Sequence, residues 1–254
     1  MTSPVAVVLA AGRGTRMKSD LPKVMFPVLG RAMIHWVLDA LQAAGCEKSI
    51  IVVGYRADDV RQELSERAGV SFAVQDPQLG TGHAVEMCRG QLKDHQGPVL
   101  VVAGDSPLIQ ADSVKRLLQE FSSGKFACLL GTLHKDDPTG LGRILRDSNG
   151  KFERIVEQKD ATDEQRQIRE VNMSTYLFEN QPLLWALSQL SNSNAQGEFY
   201  LTDCPAILRK AGHQVDAISV LQACESLSIN TIEELALVEA KMQKLGYGNR
   251  IGCR

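Results

Sequence analysis

The sequence predicts an α/β fold with a doubly wound, mostly parallel sheet, and three observations support this prediction. The apolar run Val5–Leu9 is rich in β-branched residues, which is typical of a strand buried on both faces. Apolar runs and amphipathic helical patterns then alternate as far as residue 133, as in sheets built from right-handed crossovers. Small residues and glycines follow the first run directly, at the end of a strand where such sheets bind ligands. The length of 254 residues fits one large domain, which we assign to residues 1–246, with a frayed polar tail at 247–254.

The elements of the regular part follow from apolar spacing and from glycines that end helices. Helical spacing stops before Gly45 and again before Gly69, and glycine is common just past a helix C-terminus. The short apolar runs between these helices predict strands. In chain order we predict a strand at 5–9, a helix at 32–44, a strand at 49–53, a helix at 57–68, a strand at 70–74, a helix at 81–92, a strand at 99–103, a helix at 113–121 and a strand at 126–133.

The alternation becomes less regular after Asp136. Ser148-Asn149-Gly150 is a turn signal between two short apolar segments, so it predicts a hairpin. We expect this half of the chain to add strands to the same sheet and to form a lid over the site. It is predicted to contain strands at 142–146, 152–156, 171–178 and 215–220, and helices at 183–190, 206–211 and 232–245.

Composition excludes several classes of protein. The net charge is −2 and no long basic run interleaved with aromatic residues occurs, so we expect no nucleic-acid partner. The six cysteines form no Cys-x-x-Cys pair and mostly lie in apolar segments, which predicts reduced thiols rather than a disulfide framework or a zinc site. The first apolar run is short and lacks a basic leader, and no stretch is long enough to cross a membrane. These features predict a cytoplasmic protein that does not act at a membrane.

Residues 10–23 have the composition of a loop that binds phosphate. Gly12 and Gly14 allow a ligand to approach the backbone closely, and successive N–H groups in such a turn form a concave donor surface. Arg16 and Lys23 add positive charge, and Pro22 keeps the preceding residue out of helical geometry. The loop lacks the P-loop pattern, and it lacks the third glycine of the dinucleotide fingerprint. An ordinary turn between strand and helix is the alternative interpretation.

Asp105 is a candidate metal ligand. An apolar strand delivers its carboxylate to the carboxyl edge of the sheet, and Pro107 then turns the chain away. Mg²⁺ typically takes one or two protein oxygens and completes its coordination with phosphate and water, so a carboxylate near a phosphate loop suits it. The alternative is that Asp105 caps the next turn.

The segment after the third strand contains candidate residues for contacting a nucleobase. The amide of Gln75 presents a donor beside an acceptor, which can pair with the edge of a base, and Gly80 permits close backbone approach next to Thr81. A surface position for Gln75 and a helical first turn at His83 are the alternatives. No Ser/His/Asp or Cys/His nucleophile set can be assembled from the sequence.

Several motifs together resemble the sugar-1-phosphate nucleotidyltransferases, within that family the N-acetylglucosamine-1-phosphate uridylyltransferases. The resemblance covers residues 5 to about 232 and implies a Rossmann-like sheet of the nucleotide-diphospho-sugar transferase type. The run from Glu157 to Gln165 is more specific than the first motif, which enzymes for many sugars share. The motifs are Leu9-Ala10-Ala11-Gly12-Arg13-Gly14-Thr15-Arg16-Met17 with Leu21-Pro22-Lys23, Gln78-Leu79-Gly80-Thr81-Gly82-His83-Ala84, Gly104-Asp105-Ser106-Pro107-Leu108, Asp137-Pro138-Thr139-Gly140-Leu141-Gly142-Arg143-Ile144, Glu157-Gln158-Lys159-Asp160-Ala161-Thr162-Asp163-Glu164-Gln165, and residues 194–203.

The resemblance implies transfer of UMP from UTP to N-acetylglucosamine 1-phosphate, assisted by Mg²⁺, with release of pyrophosphate. It implies that Arg16 and Lys23 are the catalytic cations and that Asp105 and Asn230 ligate Mg²⁺. The other implied roles are substrate contacts. Leu9, Ala11, Gly12 and Gly14 would hold the nucleotide and its phosphates, Gln75, Gly80 and Thr81 would read uracil, and Gly140, Glu157, Asn172, Tyr200 and Thr202 would hold the sugar phosphate.

Alternatives remain for these residues and for the function. Gly140 could serve a turn, Glu157 could be a solvated charge, Tyr200 a half-buried aromatic, and Thr202 or Asn230 a helix cap. Met173-Ser174 stands where the family usually has Thr-Gly, so the sugar could differ, and Ser228-Ile229 replaces the usual Gly-Val before Asn230. Another nucleotide or sugar, or a sensor without turnover, are the rival functions.

The resemblance does not extend to an acetyltransferase. The hexapeptide-repeat β-helix of the bifunctional relatives does not occur in these 254 residues, so we expect no acetyl transfer from them. The sequence predicts no oligomeric state.

Overall fold

The computed structural model describes residues 2–14, 17 and 19–247. Strands and helices alternate through most of this range, as the apolar spacing predicts. In chain order the elements are β1 (Val5–Leu9), β2 (Pro27–Val28), β3 (Arg31–Ala32), α1 (Met33–Ala43), β4 (Lys48–Val53), α2 (Ala57–Glu63), β5 (Val70–Val74), α3 (Thr81–Glu86), α4 (Arg89–Leu92), β6 (Pro98–Ala103), α5 (Ala111–Ser123), β7 (Cys128–His134), β8 (Gly142–Arg146), β9 (Phe152–Val156), α6 (Asp163–Arg166), β10 (Glu170–Glu179), α7 (Asn180–Leu187), α8 (Cys204–Lys210), β11 (Val215–Ser219) and α9 (Ile232–Lys244).

One mixed sheet organises the part of the chain that the structure describes. Its main path runs β11-β7-β10-β6-β1-β4-β5, and β8 and β9 extend it beside β10. The pairs β1–β4, β1–β6, β4–β5 and β7–β11 are parallel, whereas β10 runs antiparallel to β6, β7 and β8. The predicted α/β class with a mostly parallel sheet is therefore confirmed, and β10 is the strand on the main path that runs the other way.

The central strands are buried because their sequences are apolar on both faces. Val7 and Val8 of β1 and Val99 and Leu100 of β6 are fully buried, as expected for strands covered by helices on both sides. Separate apolar clusters fill the two faces of the sheet. In the register between these strands Leu9 lies opposite Ala103, so the loop after β1 and the loop after β6 leave the sheet side by side.

Some predicted bounds differ from the structure for local reasons. The predicted helix at 81–92 divides into α3 and α4 because the N–H of Cys88 bonds to the carbonyl of Val85, which tightens the turn. The predicted helix at 57–68 ends at Glu63, where the hydroxyl of Ser65 donates to the carbonyl of Gln62. The two-residue strands β2 and β3 form a hairpin that the apolar pattern did not reveal.

The segment that follows α9 packs against α1. The ring of Tyr247, the first residue of the predicted tail, lies 5.6 Å from that of Trp36 in an edge-on arrangement, and its hydroxyl accepts a hydrogen bond from Gln110 Nε2 (3.1 Å). Tyr247 is therefore packed rather than frayed, and the rest of the predicted tail, 248–254, lies outside the described residues. Among the helices within residues 2–247, none combines the length and apolar character needed to cross a bilayer.

Candidate functional site

A cleft of about 660 Å³ opens at the carboxyl edge of the parallel strands, and eight of the predicted site residues line it. Parallel strands end at the same edge of a sheet, so residues far apart in sequence converge there. The predicted residues that line the cleft are Leu9, Gly12, Lys23, Thr81, Asp105, Gly140, Asn172 and Asn230.

The other predicted residues lie around this cleft or outside the described range. Ala11 and Gly14 belong to the same loop as Gly12. Gly80 directly precedes Thr81 in the chain, and the side chain of Gln75 donates a hydrogen bond to the carbonyl of Gly80. Three residues of the predicted sugar side do not line the cleft itself: Glu157, Tyr200 and Thr202. Arg16 lies outside the described residues.

The loop after β1 is held by main-chain contacts that leave Gly12 at the cleft. The carbonyl of Ala11 accepts hydrogen bonds from the N–H of Tyr55 (3.2 Å) and from the amide of Gln78. Gly14 has φ +68°, and a Cβ added there would lie 3.0 Å from Lys23 Cβ. Glycine therefore allows the backbone of the loop to pack closely against the side chain of Lys23. The packing at Gly14 is thus a contact within the protein, and the predicted close approach of a ligand to Gly12 and Gly14 stays a prediction.

Lys23 joins the two predicted metal ligands. Its Nζ donates to a carboxylate oxygen of Asp105 and to Asn230 Oδ1 (2.7 Å). The side chains of Lys23 and Asp105 are 14% and 24% exposed, so this ion pair is shielded from most of the solvent. A carboxylate oxygen and an amide oxygen thus converge on one positive charge.

Asn230 is positioned by the start of α9. Its N–H donates to Glu234 Oε2 (2.6 Å), while Thr231 and Glu234 form a capping box at the helix N-terminus. The N–H of Ile229 donates to the carbonyl of Asp105 (3.2 Å), which ties the two ligand-bearing segments together. Asn230 therefore belongs to a capped helix start, and its side-chain oxygen still faces the cleft.

The donor set fits a hard cation that brings further ligands of its own. Oxygen donors from carboxylate and amide suit Mg²⁺, which usually keeps water and phosphate in its other positions. Among residues 2–14, 17 and 19–247, no cluster of three or more His, Cys, Asp or Glu side chains could hold a metal ion by itself. Asp105 and Asn230 would therefore suit such a cation together with a phosphate-bearing ligand, and in the structure both oxygens accept from Lys23 instead.

Gln75, Gly80 and Thr81 form one connected unit on the side of β5. The buried amide of Gln75 donates through Nε2 to the carbonyl of Gly80 (2.8 Å), and Thr81 Oγ1 accepts from the N–H of Leu201 (3.1 Å). The side-chain oxygen of Gln75 makes no hydrogen bond to another described residue. The amide nitrogen of Gln75 is thus held by a hydrogen bond, whereas its amide oxygen can still accept one. Gln75 is buried, so the alternative of a surface position for this residue is wrong.

The predicted sugar side is built on β8, β9 and β10. Asn172 Nδ2 donates to the hydroxyl of Tyr176 (2.7 Å) and its Oδ1 accepts from the N–H of Ser174 (3.2 Å), which fixes the side chain. A bulge follows Asn172 in β10, and Ser174 has φ +52° there. Met173 and Ser174 line the cleft, so two of the residues that depart from the family pattern lie next to Asn172 on the predicted sugar side.

Glu157 has a shielded carboxyl group near these residues. Burial raises the pKa of Glu157, the neighbouring Asp160 and Asp203 raise it further, and a hydrogen bond with Thr202 opposes the shift. Tyr200 is 6% exposed and its hydroxyl accepts from Gln196 Nε2 (2.8 Å), so it is buried rather than half-buried.

The cleft includes a cation that the sequence analysis did not single out. Lys135 lines it directly after β7, with Thr139 on the same side. Lys135 follows a strand that ends at the carboxyl edge of the sheet, as Asp105 does. The reasoning that identified Asp105 from the sequence would therefore have identified Lys135 as well.

Comparisons with known proteins identify the family of the chain. The family model of the MobA-like NTP transferase domain matches residues 6–191. Two relatives named bifunctional protein GlmU, from Streptococcus suis (strain 98HAH33) and Streptococcus mutans serotype c (strain ATCC 700610 / UA159), are 45% identical over 244 residues and 44% identical over 239 residues. These matches cover 96% and 94% of this chain but 53% and 52% of the relatives, so the chain spans about half their length.

Solved structures share the fold at low sequence identity. UDP-glucose pyrophosphorylase complexed with UDP-glucose superposes with a TM-score of 0.75 at 16% identity, covering 96% of this chain and 99% of that one. The apo form of a UDP-glucose pyrophosphorylase gives a TM-score of 0.76 at 17% identity, with the same coverage. At these identities the likeness extends to the architecture alone.

Proposed function

Because the chain belongs to the family of MobA-like NTP transferase domains, we propose that it transfers UMP from UTP to N-acetylglucosamine 1-phosphate, giving UDP-N-acetylglucosamine and pyrophosphate. The family acts on small-molecule nucleotide and sugar phosphate substrates and generally uses a divalent metal ion. The observation that carries the proposal is the contact of Lys23 with Asp105 and Asn230 beside a glycine-containing loop. The resemblance of the site motifs, and the relatives named bifunctional protein GlmU, support uridine and N-acetylglucosamine as the groups joined.

The reaction needs charge neutralisation more than it needs a base. A phosphate oxygen of the sugar phosphate attacks the α-phosphorus of UTP, the new P–O bond forms, and the bond to the β-phosphate breaks with release of pyrophosphate. The attacking oxygen is already anionic at neutral pH, so the absence of a recognisable general base in the sequence is no obstacle. The protein's task is to align two polyanions and offset their repulsion.

The chain's own residues divide this task. The loop at Gly12 offers backbone N–H groups to the nucleotide phosphates, and Lys23 transfers its hydrogen bonds from the two oxygens to a phosphate. Asp105 and Asn230 would hold Mg²⁺, which when bound neutralises phosphate charge and fixes the phosphate geometry. Asn172 and Glu157 would hold the sugar from the other side of the cleft.

Asp105→Asn is the decisive variant. It keeps the size of the side chain but removes the charge that would hold the cation, so we expect turnover to fall about a hundredfold or more. The measurement is pyrophosphate release from UTP and N-acetylglucosamine 1-phosphate at saturating magnesium, with Asp94→Asn as a control at a carboxylate that is 88% exposed. Near-wild-type turnover of Asp105→Asn would contradict the proposed site.

A different sugar on the same scaffold is the second candidate, and Met173 and Ser174 in the cleft favour considering it. Four nucleoside triphosphates tested against several sugar 1-phosphates would separate the two. Binding of UDP-N-acetylglucosamine without pyrophosphorolysis would instead indicate a sensor.

We also propose a cytoplasmic location. Cys46, Cys88, Cys128, Cys204 and Cys224, the cysteines within the described residues, form no disulfide, as expected in a reducing compartment. Small-molecule substrates are the proposed partners, with neither nucleic acid nor a membrane involved.

A further inference from the structure

Arg143 in β8 is a fully buried guanidinium, with only 1% of the residue exposed. Charged side chains are almost never buried to this extent unless a partner of opposite charge accompanies them. No carboxylate among the described residues forms an ion pair with Arg143. The nearby charges that act on it are the exposed Asp137, which favours its charged form, and Arg166, which together with burial lowers its pKa.

The hydrogen bonds of Arg143 all go to neutral oxygens. Nη1 donates to the carbonyl of Leu141, Nη2 donates to Gln158 Oε1 (2.7 Å), and Nε and Nη2 share the carbonyl of Arg166 (3.3 and 3.2 Å). The guanidinium is thus satisfied in its hydrogen bonds, but its charge is not cancelled locally.

These contacts reach the wall of the cleft. Leu141 lines the cleft, and Gln158 Oε1 also accepts the N–H of Gly140 (3.2 Å), another lining residue. The register of β8 places Arg143 opposite Val156 in β9 and opposite Val171 in β10, so its neighbours along these strands are Glu157 and Asn172. Arg143 therefore lies where the three segments of the predicted sugar side meet.

We propose that Arg143 is a positioning residue for the sugar-phosphate side of the cleft, and that its uncancelled positive charge helps to attract the phosphate of that substrate. The inference rests on the proposed function for the identity of the substrate. A charge in a poorly solvated position acts over a longer distance than one at the surface, because water and salt screen it less.

Gln158→Glu separates the charge of Arg143 from its hydrogen bonds. The change keeps the oxygen that accepts from Arg143 and Gly140, and the amide nitrogen that it replaces makes no hydrogen bond to another described residue. It adds a carboxylate directly beside the guanidinium. We expect the KM for the sugar phosphate to rise about tenfold while kcat and the KM for UTP change much less.

Two further variants complete the experiment. Gln158→Met removes the oxygen that accepts from Arg143 and from the N–H of Gly140 without adding charge, so it should lower Tm. Asn149→Asp adds the same charge at the far end of the β8–β9 hairpin and should leave both KM values unchanged. A KM for the sugar phosphate within about twofold of wild type in Gln158→Glu would show that the charge is not felt in the cleft and would overturn the proposal.

Thermal unfolding supplies a test that uses neither substrate. If the charge of Arg143 is uncancelled, the new ion pair in Gln158→Glu should raise Tm above that of wild type. An unchanged or lower Tm would overturn the proposal even if the wild-type enzyme performs the proposed reaction. Failure of wild type to use N-acetylglucosamine 1-phosphate would instead contradict the proposed function, and the Tm comparison would still decide whether Arg143 is uncompensated.

Discussion

Lys23 connects two residues that lie 82 and 207 positions further along the chain. The sequence indicated that Lys23 and Asp105 follow strands at one edge of the sheet, so their proximity could be predicted. The hydrogen bonds themselves could not, because they depend on how the capped start of α9 presents Asn230. In the described structure the ammonium group occupies the point at which a cation would meet both oxygens.

Lys23→Met should therefore strengthen metal binding while it slows catalysis. Without the ammonium group, a positive charge no longer competes with a divalent ion at Asp105, so we expect the affinity for Mn²⁺ in the absence of nucleotide to rise about tenfold. Titration of the nucleotide-free protein followed by electron paramagnetic resonance measures this, and turnover should fall about a hundredfold. Lys135→Met removes another cation of the cleft and is the control. Unchanged or weaker Mn²⁺ binding in Lys23→Met would contradict the competition.

Glu157 makes stability depend on pH in a defined direction. Because burial raises its pKa in the folded protein, the folded state holds this proton more tightly than the unfolded chain. Its contribution to stability is complete below the ordinary value of 4.5 and is lost as the pH rises through the raised pKa. Glu157→Gln cannot ionise, so its free energy of unfolding should increase relative to wild type across that interval.

Urea unfolding of both proteins at about pH 4 and about pH 7.5 measures this difference. Glu153→Gln, in β9 shortly before Glu157 but 45% exposed at its side chain, is the matched control. A constant difference between Glu157→Gln and wild type at both pH values would refute the assigned cause.

At the scale of elements, the ends of β1 and β6 determine where the ligand-bearing loops begin. Gly104 follows β6, and its N–H donates to the carbonyl of Leu9 (2.9 Å). A Cβ at this position would lie 2.9 Å from that carbonyl oxygen and 3.0 Å from Val24 Cγ1. Gly104 thus allows the two loops to leave the sheet in contact.

Gly104→Ala should destabilise the protein and move Asp105. We expect a loss of about 1–3 kcal/mol, because the added methyl group meets main chain that cannot yield without separating the strand ends. Thermal unfolding and turnover measure the two effects. Gly90→Ala, where a Cβ would meet nothing within 4 Å, should keep or slightly raise Tm. Equal behaviour of the two variants would contradict this interpretation.

The sequence predicted elements better than it predicted their directions. Apolar runs identified β10 because its residues are those of a buried strand, but pairing partners are not encoded in a strand's own residues. The same limit applies to Arg143. A charged residue in a predicted hairpin strand carries no sequence signal of burial, and the burial of Arg143 becomes evident only because β8 lies between β9 and β10.

At the scale of the whole molecule, α9 connects a residue that lines the cleft to a contact with α1. Asn230 precedes this helix and Tyr247 follows it, with the tyrosine ring against Trp36 of α1. The tail composition of glycine and polar residues gave no sign of this contact, because one aromatic residue decides it. The position of a cleft residue thus depends partly on packing at the far end of the helix.

Tyr247→Ala should lower the free energy of unfolding by about 1–3 kcal/mol, through loss of the aromatic contact and the hydrogen bond from Gln110. Tyr247→Phe keeps the ring and should lose less. Urea unfolding compares them, and a loss below about 0.5 kcal/mol for Tyr247→Ala would contradict a docked C-terminal segment.

The position of β10 between β6 and β7 has a consequence for synthesis on the ribosome. The strands β1, β4, β5 and β6 lie within the first 103 residues and are neighbours in the sheet, so this half of the sheet can assemble while translation continues. The strand β7 pairs with β10 and β11 rather than with β6, and it therefore emerges before either of its partners exists. We expect nascent chains that expose only the first 160 or so residues to protect β1 and β4 from proteolysis but not β7.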